Sequence, residues 1–256
     1  MKKRIGLFDS GVGGLSLLPA LSALMPAESY CYLADEAHTP YGDKSEDFLL
    51  KRSEIITQYL ISQNCKLIVV ACNTATTQII QQLRNQFSIP FVGIEPAVKP
   101  AAQHTQVGKI GVLATQGTLN SELFHKNVAQ NTAGIEVFTQ VGKGLVAMVE
   151  NGNLNHPQAK ELLTSYLTPM IEQGIDQLVL GCTHYPFLQP IIEQIVPSSI
   201  NIIDNSKAVA LQVKHLLKEN NSLQLDQSTS EVVYYSTEKK SNLNHFTKDK
   251  IIHLQI

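Results

Sequence analysis

A chain of 256 residues, 43% hydrophobic and 16% charged, can bury a substantial core in one large domain or two ordinary ones. Its formal net charge of −2 gives no electrostatic bias toward nucleic acid or membrane surfaces, so neither is expected as a partner. No apolar run approaches the roughly 20 residues of a membrane span, and Asp9 interrupts the N-terminal apolar stretch too soon for a signal peptide, which makes the cytoplasm the default location.

Short apolar runs alternate with longer amphipathic ones along the whole chain. Strands are expected at 4–8 and 29–34, then a helix over 45–63, a strand at 66–71, a helix over 75–87 and a strand at 90–94. The segment PAVKP (96–100) is the best candidate for a boundary. Beyond it, strands at 108–114, 134–139, 176–181 and 200–203 alternate with helices over 119–130, 157–173, 187–196 and 205–219. Alternation of this kind points to an α/β fold with mainly parallel sheets, in which ligands sit beyond the carboxyl ends of the strands.

A faint repeat runs through this pattern. RIGLFDSGVGG resembles KIGVLATQG, and LIVVACNT resembles QLVLGCTH, in the same order. The offsets are 105 residues (Gly6 to Gly111) and 110 (Cys72 to Cys182). Duplication predicts two pseudo-symmetric domains.

None of the cysteines, Cys31, Cys65, Cys72 and Cys182, belongs to a CxxC pair. Cys31 and Cys65 read as small buried hydrophobes. Cys72 and Cys182 end equivalent apolar strands, and a duplicated fold places them across one cleft. Helix amides there are expected to lower a thiol's pKa from its free value of about 8.5. Two such thiols suit proton abstraction from one face of a carbon and delivery to the other, which inverts its configuration. Rival uses are a redox disulfide, a metal held by Cys182 and His184, or a single nucleophilic cysteine with His184 as base. The first leaves the neighbouring polar residues without a task, the second lacks further ligands at usable spacing, and the third leaves one site unused.

The turn DSGVGG misses a dinucleotide fingerprint because Ser16 stands where the third glycine or alanine belongs. Asp9 fits a cationic group or a polariser of a nearby thiol, with a helix N-cap as the alternative. Arginine is confined to Arg4, Arg52 and Arg84, so a carboxylate ligand would rest on helix-start amides and on Ser10, Asn73, Thr74, Thr115, Thr118 and Thr183. The loop EAHTPYGDKS (36–45) reads as a lid offering Tyr41 and the Gly42 amide, or as a plain surface connection. His184 and Glu150 are candidate helpers of Cys182.

In order along the chain, FDSGVGG, ADEAHTPYGDKS, ACNTAT, GIEPAVKPA, TQGTLNS, LVAMVENG and LGCTHYPFL closely resemble the glutamate racemases of bacteria. The match spans residues 4 to about 210. The resemblance implies a cofactor-independent, metal-free isomerase that interconverts L- and D-glutamate for peptidoglycan, working as a homodimer with the active site between two α/β domains. It implies domains of 1–96 plus 206–256 and of 97–205. Cys72 and Cys182 become the acid/base pair, Cys72 acting on D-glutamate and Cys182 on L-glutamate. Asp9 assists Cys72, while His184 and Glu150 assist Cys182. Asp9, Ser10, Tyr41, Gly42, Asn73, Thr74, Thr183 and His184 become substrate contacts. The C-terminal STEKKSNLNHF is assigned no chemistry. Alternatives are an aspartate racemase, another racemase or decarboxylase of the superfamily, and a non-enzymatic amino-acid-binding protein on the same scaffold.

Overall fold

The computed structural model describes residues 3–154, 156–225 and 230–256; residues 1, 2, 155 and 226–229, which fall inside the expected domain ranges, lie outside the described residues. The first sheet is built from β1 (Arg4–Asp9), β2 (Tyr30–Ala34), β3 (Cys65–Val70), β4 (Phe91–Gly93) and, after a long excursion, β9 (Val232–Ser236) and β10 (Ile251–His253). The second holds β5 (Lys109–Ala114), β6 (Glu136–Val141), β7 (Gln177–Gly181) and β8 (Asn201–Ile203). Helices α1 (Leu18–Leu24), α2 (Glu46–Ser62), α3 (Asn73–Gln86) and α4 (Val98–His104) come from the first part of the chain. They are followed by α5 (Gln116–Leu119), α6 (Glu122–Asn131), α7 (Leu145–Glu150), α8 (Pro157–Glu172), α9 (Gln189–Ile195) and α10 (Ser206–Glu219).

Strand order is β10-β9-β2-β1-β3-β4 in one sheet and β6-β5-β7-β8 in the other, with every pairing parallel. The order β2-β1-β3-β4 therefore recurs as β6-β5-β7-β8. Register repeats with it: Phe8 lies opposite Val70, and Leu113 opposite Leu180, at the same offsets as the sequence repeat. In each sheet the order reverses between the two strands that lead into the DSG or TQG turn and into the cysteine. Such reversal points are where parallel sheets leave a crevice for ligands.

Both faces of each sheet are covered, which is why the strands read as continuous apolar runs. On the first sheet, Ile5, Leu7, Leu67 and Val69 join a core with α1 and α10, and Ile68 and Val70 join one with α2 and α3. On the second, Leu178 and Leu180 pack toward α8 and α9 while Ile110, Val112 and Val179 face α4 and α6. Elements absent from the sequence reading have physical excuses. Helix α1 (LPALSAL) carries no charged residue to mark a polar face. Helix α4 keeps Pro100 in its first turn, where a missing N–H breaks no helical bond. Strand β10 is a three-residue edge strand, and β9 lies between it and β2, far along the chain from its partner.

One buried carboxylate fastens several of these pieces. Asp35, just past β2, accepts from Arg52 Nε at 2.8 Å and Nη2 at 2.7 Å, from the Tyr41 hydroxyl at 2.7 Å and from Thr237 Oγ1 at 3.1 Å. It thereby ties α2, the 36–45 loop and the segment after β9 to one point. Burial pushes the Asp35 carboxyl up, but the Arg52 and Tyr41 hydrogen bonds outweigh it and hold the group below its ordinary value. Replacing Arg52 with alanine strands that charge and is expected to cost about 3–5 kcal/mol. Arg52→Lys should recover only part of the loss, because an ammonium cannot form the two-pronged pair. Chemical denaturation of the three proteins checks this; equal stability of wild type and Arg52→Ala would contradict it.

Candidate active site

Residues following the carboxyl ends of the central strands meet around one cavity. Ser10, Pro40, Tyr41, Gly42, Cys72, Asn73, Thr74, Thr115, Val146, Cys182, Thr183 and His184 enclose about 260 Å³ of free space, its mouth included. The two cysteines arrive from different sheets and both are 6% exposed. Cys72 is extended (φ −126°, ψ 120°) and precedes the first residue of α3, accepting the Thr76 amide at its carbonyl at 2.9 Å. That helix begins at Asn73, two residues earlier than its periodicity indicates. Cys182 is followed instead by a 3-10 turn, Tyr185–Leu188, before α9 begins. The two corners are equivalent in topology and different in detail.

Cys182 has a relay behind it. His184 places Nδ1 3.7 Å from Cys182 Sγ and Nε2 2.6 Å from Glu150 Oε1. Glu150, the last residue of α7, also accepts the Val12 amide at 2.9 Å and Asn242 Nδ2 at 3.1 Å. Burial acts against a charge on His184. The Cys182 and Glu150 hydrogen bonds, with the Asp9 charge, overcome it and hold the imidazole's proton well above the ordinary value. Burial likewise pushes Glu150 up, and its hydrogen bonds from His184, Val12 and Asn242 bring it below its ordinary value. The result is an ion pair aimed at a sulfur.

Two glycines of DSGVGG, Gly11 and Gly13, leave room for this relay. A Cβ on Gly11 would overlap the Glu150 carboxylate, and one on Gly13 would overlap the His184 ring.

Asp9 lies at the end of β1, fully buried, and accepts the Gly11 amide at 2.8 Å and the Thr183 hydroxyl at 3.1 Å. It stands beneath the cavity and does not line it, as does Glu150 behind His184. Burial pushes the Asp9 carboxyl up to about 6, against the pull of His184 and the Gly11 amide. Cys72 departs from expectation here. The Ala75 and Thr74 amides do pull its thiol down, but burial and the Asp9 charge push harder, and the sulfur keeps its proton. A helix start of neutral amides is weaker than removal from water.

Of the hydroxyl residues, Thr74 and Thr115 line the cavity and bond each other at 2.8 Å, joining α3 to the start of α5. Thr118 does not reach the cavity: fully buried, it stands behind them, 3.3 Å from Thr74 and 3.0 Å from Thr115. Tyr41 lines the wall with its hydroxyl spent on Asp35. Asn73 donates to the Ile94 carbonyl at 3.3 Å, and its buried Oδ1 has no partner among the described residues. Pro40 and Val146 are lining residues that the sequence reading missed. Pro40 adjoins Tyr41 in the quoted loop, whereas Val146 offers only an apolar side chain and no signal.

This geometry can be set beside known proteins. The Asp/Glu/Hydantoin racemase model matches residues 32–213. A glutamate racemase from Pseudomonas aeruginosa strain PAO1 is 47% identical over 214 residues, covering 83% of this chain and 81% of the relative. The chain belongs to the glutamate racemases of the Asp/Glu/Hydantoin racemase family. It is an isomerase. Solved racemases share its architecture: the Escherichia coli glutamate racemase in complex with L-glutamate and the activator UDP-MurNAc-ala superposes with TM-score 0.85, at 31% identity over 95% of this chain and 92% of that one. The Francisella tularensis glutamate racemase in complex with D-glutamate gives 0.84, at 28% identity over 99% and 97%. Among the described residues no helix is long and apolar enough to cross a membrane.

The buried carboxylate of this racemase makes a pH-dependent claim. Asp9 rises from an ordinary 3.8 to about 6 on folding. A raised value means that the folded state holds the proton more tightly than the unfolded chain. The associated stability is present in full below the ordinary value and is lost as pH rises through about 6. Asp9→Asn removes the buried charge, so it should stabilise the protein by about 2–3 kcal/mol at pH 8 and by little at pH 4. Thermal melting at both values checks this, and an Asn variant less stable than wild type at pH 8 would refute it.

Proposed function

We propose that this racemase interconverts L- and D-glutamate through Cys72 and Cys182, one on each side of the substrate α-carbon. The observation that carries the reading is the pair of thiols from equivalent strand ends on one cavity, each with its own electrostatic partner. By the resemblance Cys182 faces the L enantiomer. In that direction the Cys182 thiolate takes the α-proton, breaking C–H and forming S–H, and leaves an electron pair on the α-carbon. Cys72 delivers its proton to the opposite face, and the products are D-glutamate, a Cys182 thiol and a Cys72 thiolate. The reverse direction exchanges the two roles.

The surroundings suit these roles. A proton on His184 puts positive charge against the Cys182 sulfur, the arrangement a thiolate needs. Cys72, kept protonated by burial and Asp9, is ready as a donor. The free Asn73 Oδ1 fits a substrate ammonium, and Ser10, Thr74, Thr115 and Thr183 offer hydroxyls to its carboxylates. The Gly42 amide belongs to the same wall. The named relatives in complex with L- and D-glutamate lend the substrate's identity.

The rest of the reading follows the family. Cofactor independence, a homodimer, a cytoplasmic location and supply of D-glutamate for peptidoglycan all belong to the proposal. So do the two domains, 1–96 with 206–256 and 97–205, with the cleft between them. The distribution of strands between two sheets supports that division, as does α10, which packs on α1, β3 and β4.

Two expectations test this. No arginine lines the cavity to draw in a short side-chain carboxylate. Aspartate should therefore turn over with kcat/KM at least about tenfold lower than glutamate, about 1.4 kcal/mol of discrimination. Polarimetry with either enantiomer measures this, and comparable values would sink the assignment. Cys72→Ala and Cys182→Ala should each abolish racemisation, beyond the ~10²–10⁴ of a single acid/base group, because one obligatory partner is gone. Cys31→Ala and Cys65→Ala should keep most activity. In deuterated water the wild type should place deuterium mainly in the newly formed enantiomer at early times. Full activity in either cavity-cysteine variant would end the mechanism.

A further inference from the structure

The segment after β9 reaches the relay behind Cys182. Ser241–Asn242–Leu243 form the start of a 3-10 turn in which Ser241 Oγ accepts the Leu243 amide at 3.2 Å. The Asn242 backbone amide is pinned to Glu36 Oε1 at 2.8 Å, and the other Glu36 oxygen is held by the Ser236 hydroxyl. So fixed, the side chain of Asn242 extends Nδ2 to Glu150 Oε2 at 3.1 Å. Its amide nitrogen must face Glu150, since the oxygen would oppose acceptor to acceptor. Glu150 is 3% exposed, and without Asn242 its Oε2 has no other side-chain or backbone donor among those described. The opposite oxygen is shared by His184 and the Val12 amide. Asn242 thus sets the rotation of a carboxylate that sets the imidazole that stands against Cys182.

We infer that Asn242 is a positioning residue for the Cys182 half of the reaction: by holding Glu150 Oε2 it aims His184 at the Cys182 sulfur, and it has no part in proton transfer at Cys72. This rests on the two-thiol reading above. It makes a one-sided claim, and the thermodynamics of a racemase decide where that can be seen. The equilibrium constant between enantiomers is unity, so kcat/KM must fall equally in both directions whatever the mutation does. The asymmetry has to appear in isotope effects. With α-deuterated L-glutamate the transferred deuteron goes to Cys182; with α-deuterated D-glutamate it goes to Cys72.

The test compares Asn242→Ala and the volume-keeping Asn242→Leu with wild type and with Ser241→Ala, which loosens the same turn while leaving the Asn242 amide in place. Kinetics are measured with protiated and α-deuterated enantiomers, and folding is checked by thermal melting. Both Asn242 variants should lose about 10- to 100-fold in kcat/KM in both directions, the scale of a misaimed catalytic group. The substrate isotope effect should grow from L-glutamate and shrink toward unity from D-glutamate, because Cys182 transfer has become the slower step. Ser241→Ala should lower the melting temperature without that asymmetry. Isotope effects that change alike in both directions, or an asymmetry matched by Ser241→Ala, would overturn the inference. Cys182→Ala is run alongside: if it still racemises, the two-thiol reading itself has failed, which separates that failure from a fault in the role of Asn242.

Discussion

The carboxylate of Glu150 is the interaction on which the site depends. It is buried and charged, a state that costs several kcal/mol unless hydrogen bonds and a counter-charge replace the lost water. Its partners come from three separate stretches of chain: the Val12 amide after β1, the Asn242 amide after β9 and the His184 ring after β7. Each satisfies part of the charge, and together they bind pieces of both sheets to one point. The glycines at 11 and 13 are then a steric requirement, because no side chain fits between the turn and the relay.

The duplicated architecture gives two thiols the same place and opposite surroundings. Beside Cys182 stands a histidine that holds its proton, with a carboxylate behind it. Cys72 has the fully buried carboxylate of Asp9 nearby, and burial and that charge together keep its proton. Symmetry of the backbone brings the two thiols to one cavity, and the charged groups beside them differ. The same Asp9 charge that keeps the Cys72 proton also supports the proton on His184.

Further out, Asp35 does for the 36–45 loop what Glu150 does for the relay. A polar wall can be rigid only when a buried charge of this kind is fully paired. Tyr41 and Gly42 are set on the cavity because Arg52, reaching from α2, holds Asp35 in both prongs.

Period and punctuation were legible in the sequence: apolar strands such as LIVVA, the longer helices, the repeat, and two cysteines at matching strand ends. His184 and Glu150 were legible as candidate helpers of Cys182, and the motifs resembling a known family repeated that assignment. These features are local, or repeat at a fixed offset, and so survive in one dimension. Helix α1, helix α4, strand β9 and the edge strand β10 did not show, since their signals are short or masked by proline. Contacts between distant segments were equally silent. Asn242 lies 92 positions from Glu150 in a stretch given no role, Thr118 proved to stand behind the cavity, and Val146 carries no chemical mark. The proton affinity of Cys72 also belongs to the tertiary structure. The sequence by itself determined which strand ends carry the thiols; only packing decided how much water and charge surround each, because solvation is a property of the assembled neighbours and not of the residue.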